Sequence, residues 1–220
     1  MITSDRKFAA AIFDMDGLIL DSELTVLHCW EKVAERHGLP DILPFAVSVI
    51  GKNKKATLAE FTRVYDLPAE SYEREVRAIY NELASRGEVP LKPHTLELLR
   101  AMKEAGMKTA IASSSLRSEV EPQMTKLGAA PYFDVMVCGD QVTKSKPDPE
   151  IFLMACDALG VIPSESLGLE DSFNGVRACK ASGLYTIMVP DIIQPDDEMK
   201  GLADIILPSL TEVQAFLNLK

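Results

Sequence analysis

Positive charge is in deficit. Lysine and arginine number 23 against 33 aspartates and glutamates in 220 residues, a formal net charge of −10. So acidic a chain is poorly matched to nucleic acid or to an anionic membrane surface, and an anionic ligand must be drawn in by a local cation. Cysteine is scarce and dispersed: Cys29, Cys138, Cys156 and Cys179 form no CxxC and no His-rich cluster. That argues against a zinc site or a disulfide scaffold and leaves buried thiols of a reducing cytoplasm. No apolar stretch approaches the roughly 20 residues of a membrane span. The run Phe8 to Phe13, behind Arg6 and Lys7, is too short for a signal h-region and ends in Asp14. Nucleotide-binding glycine motifs are missing too: there is no GxGxxG, and Gly51-Lys52 lacks the earlier P-loop glycine, Ala46 standing in its place. With 47% hydrophobic and 25% charged residues, a soluble cytoplasmic protein of one large or two modest domains is expected.

What is present is a rhythm. From residue 91 onward, helical patterns over 94–105, 116–127, 149–159 and 173–182 are each followed by a glycine: Gly106, Gly128, Gly160 and Gly183. After each comes a short apolar run that reads as a strand: Met107–Ala112, Phe133–Cys138, Ser166–Leu169 and Tyr185–Val189. Such alternation predicts βα units and a mostly parallel sheet with helices on both faces. Phe8–Phe13 reads as a further strand of this buried type. Residues 22–88 break the pattern, with amphipathic helices predicted over 24–37, 53–66 and 70–86 and no strand between them. A helical segment inserted after the first strand lies at the carboxyl edge of the sheet, where α/β folds bind ligands, and reads as a cap.

Chemistry-bearing residues gather at that edge. Asp14 and Asp16 end the first strand and Gly17 lets the chain turn away; paired carboxylates can divide the roles of nucleophile and general acid–base. An ordinary Asp-Gly turn would explain the same residues. A second pair, Glu170-Asp171, follows another strand, and carboxylates so clustered repel one another unless a cation lies among them. All-oxygen ligands suit Mg²⁺. Helix capping is the alternative for this pair, although Ser172 can cap the next helix alone. Ser113-Ser114-Ser115 end strand 107–112 and, with the following helix start, can hold phosphate oxygens. In Lys144-Ser-Lys-Pro-Asp-Pro149, Asp148 suits an N-cap, Pro149 the first helical position, and Pro147 holds Lys146 extended ahead of the helix. Together these features point to chemistry on a phosphorylated substrate.

Asp14-x-Asp16-Gly17, Ser113, Lys146-Pro-Asp-Pro149 and Gly168-Leu-Glu-Asp-Ser172, in this order, resemble the motifs of the haloacid dehalogenase superfamily. The match is to its helical-cap phosphatases, and most closely to the sugar-phosphate phosphatases and β-phosphoglucomutases, over nearly all of residues 8–217. The resemblance implies an α/β fold: a Rossmann-like parallel-sheet core, residues 1–19 and 90–220, with an inserted all-helical cap, residues 20–89. It implies that Asp14 attacks phosphorus, that Asp16 serves as general acid and then base, that Ser113 binds the transferring phosphoryl group and that Lys146 neutralises it. Mg²⁺ is implied on the Asp14 carboxylate, the Asp16 carbonyl and Asp171, with Glu170 acting directly or through water. The register within Ser113–Ser115 also comes from the resemblance, which leaves Ser114 and Ser115 as substrate contacts.

The loop Val49–Lys55 resembles the family's cap specificity loop, with Gly51 allowing close approach and Lys54 offering charge to substrate. In the β-phosphoglucomutases a cap arginine grips the second phosphate and a cap histidine gates hydrolysis; here Lys54 and Val26 fall at those positions. Lysine lacks arginine's bidentate fork. A phosphatase of a small phosphorylated metabolite, a sugar phosphate foremost, is therefore expected, with a sugar phosphomutase as the alternative. A phospho-acceptor receiver domain is shorter, has no cap and carries its acceptor on a middle strand; a dehalogenase has no need of Asp16. A site built within one capped chain leads to the expectation of a monomer.

Overall fold

The computed structural model describes residues 3–4, 6–52 and 54–220. Asn53, the first residue of the helix expected over 53–66, lies outside them, as do Met1, Ile2 and Asp5. The chain divides into two compact units, Met1–Leu20 with Leu91–Lys220, and Asp21–Pro90.

The first unit is an α/β layer structure. Its strands are β1 (Ala10–Phe13), β2 (Lys108–Ser113), β3 (Val135–Cys138), β4 (Ser166–Glu170), β5 (Tyr185–Met188) and β6 (Ile205–Ile206). They form one parallel sheet in the order β3-β2-β1-β4-β5-β6. In β1 every side chain of Ala-Ala-Ile-Phe is buried, as expected where helices cover both faces. Ala10 and Ile12 join Ala110 and Ala112 against Phe152, Ala155 and Cys156 of α7 (Glu150–Leu159). The alternate residues Ala11 and Phe13 point the other way, and there Leu98, Leu99 and Met102 of α5 (Thr95–Glu104) are buried. Gly168 lets α8 (Phe173–Ala181) press onto β4: a Cβ there would lie 2.2 Å from Cys179 Sγ. The rhythm of glycine stops holds, and Gly160 closes α7 in the left-handed conformation at φ 63°.

The second unit is all helix: α1 (Ser22–His37), α2 (Ile42–Ser48), α3 (Lys54–Tyr65) and α4 (Ala69–Arg86). Helix α2 was not expected; seven residues with Pro44 among them carry too little periodicity to read. It contributes Phe45 to an aromatic core, 5.0 Å from the Trp30 ring and 5.3 Å from that of Phe61. The C-terminal elements beyond β5, namely α9 (Asp197–Leu202), β6 and α10 (Leu210–Phe216), are likewise too short to show a period. Helix α6 (Arg117–Lys126) completes the first unit. Among the described residues no helix is long and apolar enough to cross a membrane.

Candidate active site

Sheet order fixes the site. The order reverses between β1 and β4, and ligands of open α/β sheets bind at such a switch point, beyond the carboxyl ends of the strands. The register pairs Phe13 with Leu169, and the Asp14 amide donates to the Leu169 carbonyl at 3.0 Å, so Asp14 and Glu170 leave the sheet side by side. Carboxylate oxygens of Asp14, Glu170 and Asp171 lie within 4.8 Å of one another.

Lys146 threads this cluster. Its Nζ donates to Asp14 Oδ1 at 2.5 Å, to Glu170 Oε1 at 2.6 Å and to the Ala112 carbonyl at 2.9 Å. Three donors thus meet three acceptors, and the ammonium also lies 5.0 Å from the Phe152 ring centroid. The side chains of Lys146, Asp14 and Glu170 are only 7%, 10% and 0% exposed. Burial alone would lower the lysine, but Asp14 and Glu170 outweigh it and hold it above the ordinary lysine range. For Asp14, burial dominates; with Glu170 and Asp16 adding to it and Lys146 opposing, the carboxyl is pushed up to about 8.

Glu170 has a second task. Its Oε2 accepts from the Asp171 and Ser172 amides, both at 3.2 Å, and from Ser172 Oγ at 3.0 Å. Ser172 Oγ in turn caps α8 by accepting from the Gly175 amide at 3.1 Å. Glu170 therefore ties the entrance of α8 together and at the same time supports Lys146.

The loop carrying Lys146 is held by Glu150, whose carboxylate accepts from the Thr143 amide at 2.9 Å and the Lys144 amide at 2.8 Å. The Lys146–Pro147 peptide is cis. Helix α7 starts one residue later than expected, with Pro149 as its N-cap residue, while Asp148 Oδ1 accepts from the Glu150 amide at 3.1 Å. Ser113 is fully buried at the end of β2, and its Oγ accepts from the Ser115 amide at 3.1 Å. Ser115 Oγ donates to Asp16 Oδ2 at 2.9 Å, which brings the serine loop and the acid pair into one array.

A family model described as haloacid dehalogenase-like hydrolase matches residues 11–189. The chain belongs to this family. It is 30% identical over 215 residues to the phosphorylated carbohydrates phosphatase of Thermotoga maritima, covering 95% of this chain and 96% of that protein. It is 32% identical over 229 residues to hexitol phosphatase B of Escherichia coli strain K12, covering 97% and 98%. A solved haloacid dehalogenase-family hydrolase from Deinococcus radiodurans R1, with bound phosphate and sodium, superposes with a TM-score of 0.82 at 27% identity, over 96% of this chain and 95% of that one.

The donor set of this hydrolase fits a hard divalent cation. The donors are oxygen only. Three carboxylates cluster beside one lysine, and burial, with repulsion from Glu170 and Asp16, raises Asp14 far from its ordinary value. Gly17 leaves the approach to Asp171 open: a Cβ there would lie 2.3 Å from Asp171 Oδ2.

The remaining candidates are more dispersed. Ser114 is exposed and lines a cavity of about 210 Å³ with Gly139, Thr143, Ser145 and the flank of Lys146. Gly51 and Lys54 lie in the helical unit. Gly51 takes φ 71° in a turn, the left-handed conformation that glycine adopts most readily. Lys54 Nζ is 3.1 Å from Glu73 Oε2, and Glu73, buried, also holds Arg77 at 3.0 Å. Sequence reasoning missed Glu150, Phe152 and the Ala112 carbonyl. Only the β1–β2 register, which places Ala112 one residue beyond the pair Phe13–Ile111, could have pointed to the last.

Proposed function

We propose that this hydrolase is a Mg²⁺-dependent phosphatase of a small phosphorylated metabolite, a sugar phosphate foremost, working through an aspartyl phosphate on Asp14. The observation that carries the reading is the buried Lys146 ammonium joined to both Asp14 and Glu170 at the switch point of the sheet. Asp14 attacks phosphorus, forming its Oδ–P bond as the ester P–O bond breaks. The leaving oxygen takes a proton from Asp16. Asp16, now ionised, takes a proton from a water that attacks the aspartyl phosphate, which releases phosphate and restores Asp14. Ser113 donates its hydroxyl to a phosphoryl oxygen while accepting from the Ser115 amide, and Lys146 offsets the charge carried by Asp14 and the phosphoryl group. Asp14, Asp171 and the Asp16 carbonyl would hold Mg²⁺, with Glu170, whose oxygens already serve Lys146 and α8, acting through water. When bound, the cation supplies charge stabilisation to the phosphoryl oxygens. The helical unit 21–90 serves as the cap that sets substrate choice.

The names of the phosphorylated carbohydrates phosphatase and of hexitol phosphatase B support a sugar phosphate as the substrate class. The Lys54–Glu73 ion pair supports hydrolysis over the mutase alternative, because a lysine held toward a glutamate, and without arginine's bidentate fork, is a weaker grip for a second phosphate. The test is phosphate release from a panel of sugar and nucleoside monophosphates, with Mg²⁺ and with chelator, for the wild type and Asp14→Asn. Metal-dependent release that Asp14→Asn abolishes is expected. Conversion of β-glucose 1-phosphate to glucose 6-phosphate with little free phosphate would instead establish the mutase.

A further inference from the structure

Serines after a strand are ordinarily helix caps, yet Ser115 does not cap α6. Leu116 occupies that N-cap position, and Glu119 accepts from the Leu116 amide at 3.2 Å. The Ser115 hydroxyl instead reaches 99 positions along the chain to Asp16 Oδ2, at 2.9 Å. Its backbone is pinned on both sides: its amide donates to Ser113 Oγ at 3.1 Å, and its carbonyl accepts from the Gly139 amide at 2.9 Å. Gly139 fits closely there, since a Cβ on it would lie 2.2 Å from the Ser114 carbonyl oxygen. With the backbone fixed, one torsion places the hydroxyl oxygen, so its proximity to Asp16 is built into the fold of the loop.

We propose that Ser115 is a positioning residue for the general acid, rather than the substrate contact expected from the resemblance. The proposal rests on the phosphatase reading of Asp14 and Asp16. A donor on Oδ2 makes that oxygen an acceptor and assigns the transferable proton to Oδ1, in a carboxyl group whose rotation is restrained. The amide of the same residue orients Ser113, so one residue sets both the phosphoryl-binding hydroxyl and the acid that protonates the leaving oxygen.

Leaving groups that differ in their need for a proton separate this role from others. Phenyl phosphate expels a basic phenoxide that benefits from protonation, whereas p-nitrophenyl phosphate expels an anion that leaves unaided. Wild-type turnover of both esters, abolished in Asp14→Asn, is required by the phosphatase reading, and its absence would overturn that reading independently of Ser115. Given that turnover, Ser115→Ala should lower kcat/KM for phenyl phosphate about tenfold, the scale of one lost hydrogen bond. For p-nitrophenyl phosphate the loss should stay below about twofold. Ser115→Thr, which keeps the hydroxyl, should restore the phenyl phosphate rate. Equal losses on the two esters would make Ser115 a phosphate contact, and no loss on either would make its bond to Asp16 incidental; each result overturns the proposal.

Discussion

Lys146 Nζ stands 2.5 Å from Asp14 Oδ1 although 132 positions separate the two residues. Lys146 also pairs with the fully buried Glu170; such a pair contributes little net stability, because desolvation offsets most of its attraction, but removing the lysine leaves Glu170 an uncompensated charge. Lys146→Ala is therefore expected to destabilise the protein by about 3–5 kcal/mol in denaturant titration. It should also lower turnover by about 10²–10³-fold, as loss of one electrostatic stabiliser typically does. Lys144→Ala provides the contrast: its side chain is 70% exposed and pairs with Asp148 at 3.3 Å. Surface pairs of that kind contribute little, so stability and rate should stay at wild-type values. Equal effects from the two substitutions would remove Lys146 from the site.

Two glycines in helices should respond to alanine with opposite signs. In α9, Gly201 has nothing within 4 Å of its Cβ position. Gly201→Ala should raise stability by up to about 1 kcal/mol through helix propensity. In α8, a Cβ on Gly175 would fall 1.9 Å from Glu170 Cδ and Oε1 and 2.0 Å from Oε2. Glu170 cannot swing away cheaply, because its oxygens are bonded to Lys146, Ser172 and two amides. Gly175→Ala should cost about 1–3 kcal/mol and impair turnover as Lys146 loses its second carboxylate. A thermal melt of both variants beside a rate measurement checks the pair of signs; a stabilised, fully active Gly175→Ala would refute the crowding.

All four cysteines are free and buried. Burial pushes the Cys156 thiol up to about 11 and the Cys179 thiol up to about 12, the latter despite a hydrogen bond from Thr186. Thiolate is the reactive form, so a disulfide reagent at mildly alkaline pH should label no thiol in the native protein and four after unfolding in guanidinium. Linkage has a definite sign here. Above the ordinary thiol value of 9.0 the unfolded chain loses protons that the folded chain retains, so stability should fall as pH climbs from there toward 12. Rapid labelling of the native state would contradict the burial.

Much of this site was readable because strand ends are readable. Apolar runs ending in Asp14 and in Glu170-Asp171, in a chain alternating strand and helix, must share one edge of a parallel sheet, and the register Phe13–Leu169 bears this out. What was not legible depends on direction and distance. That Glu170 faces both Lys146 and the start of α8 follows from a side-chain rotamer, which no spacing encodes. That Ser115 reaches Asp16 follows from a loop pinned by Gly139, a residue without periodicity of its own. The short helix α2 was missed because its seven residues gain their place from packing Phe45 against Trp30 and Phe61, a tertiary effect that overrides weak local preference.

Asp14 gives the clearest link between pH and metal. Its carboxyl rises from 3.8 to about 8, chiefly through burial. An acid raised on folding keeps its proton while the unfolded chain has lost it, so between these two values the folded state binds more protons and stability falls as pH rises. A cation on Asp14 takes the place of that proton, and binding below about pH 8 must release it. The expected outcome is a Mg²⁺-induced rise in Tm that is small near pH 5 and larger near pH 8, with proton release measurable in weakly buffered solution at pH 7. Chelator should abolish phosphatase turnover and added Mg²⁺ should restore it. A Tm rise independent of pH, together with full activity in chelator, would mean that Asp14 reaches its ionised state without a cation and that Lys146 alone sustains it.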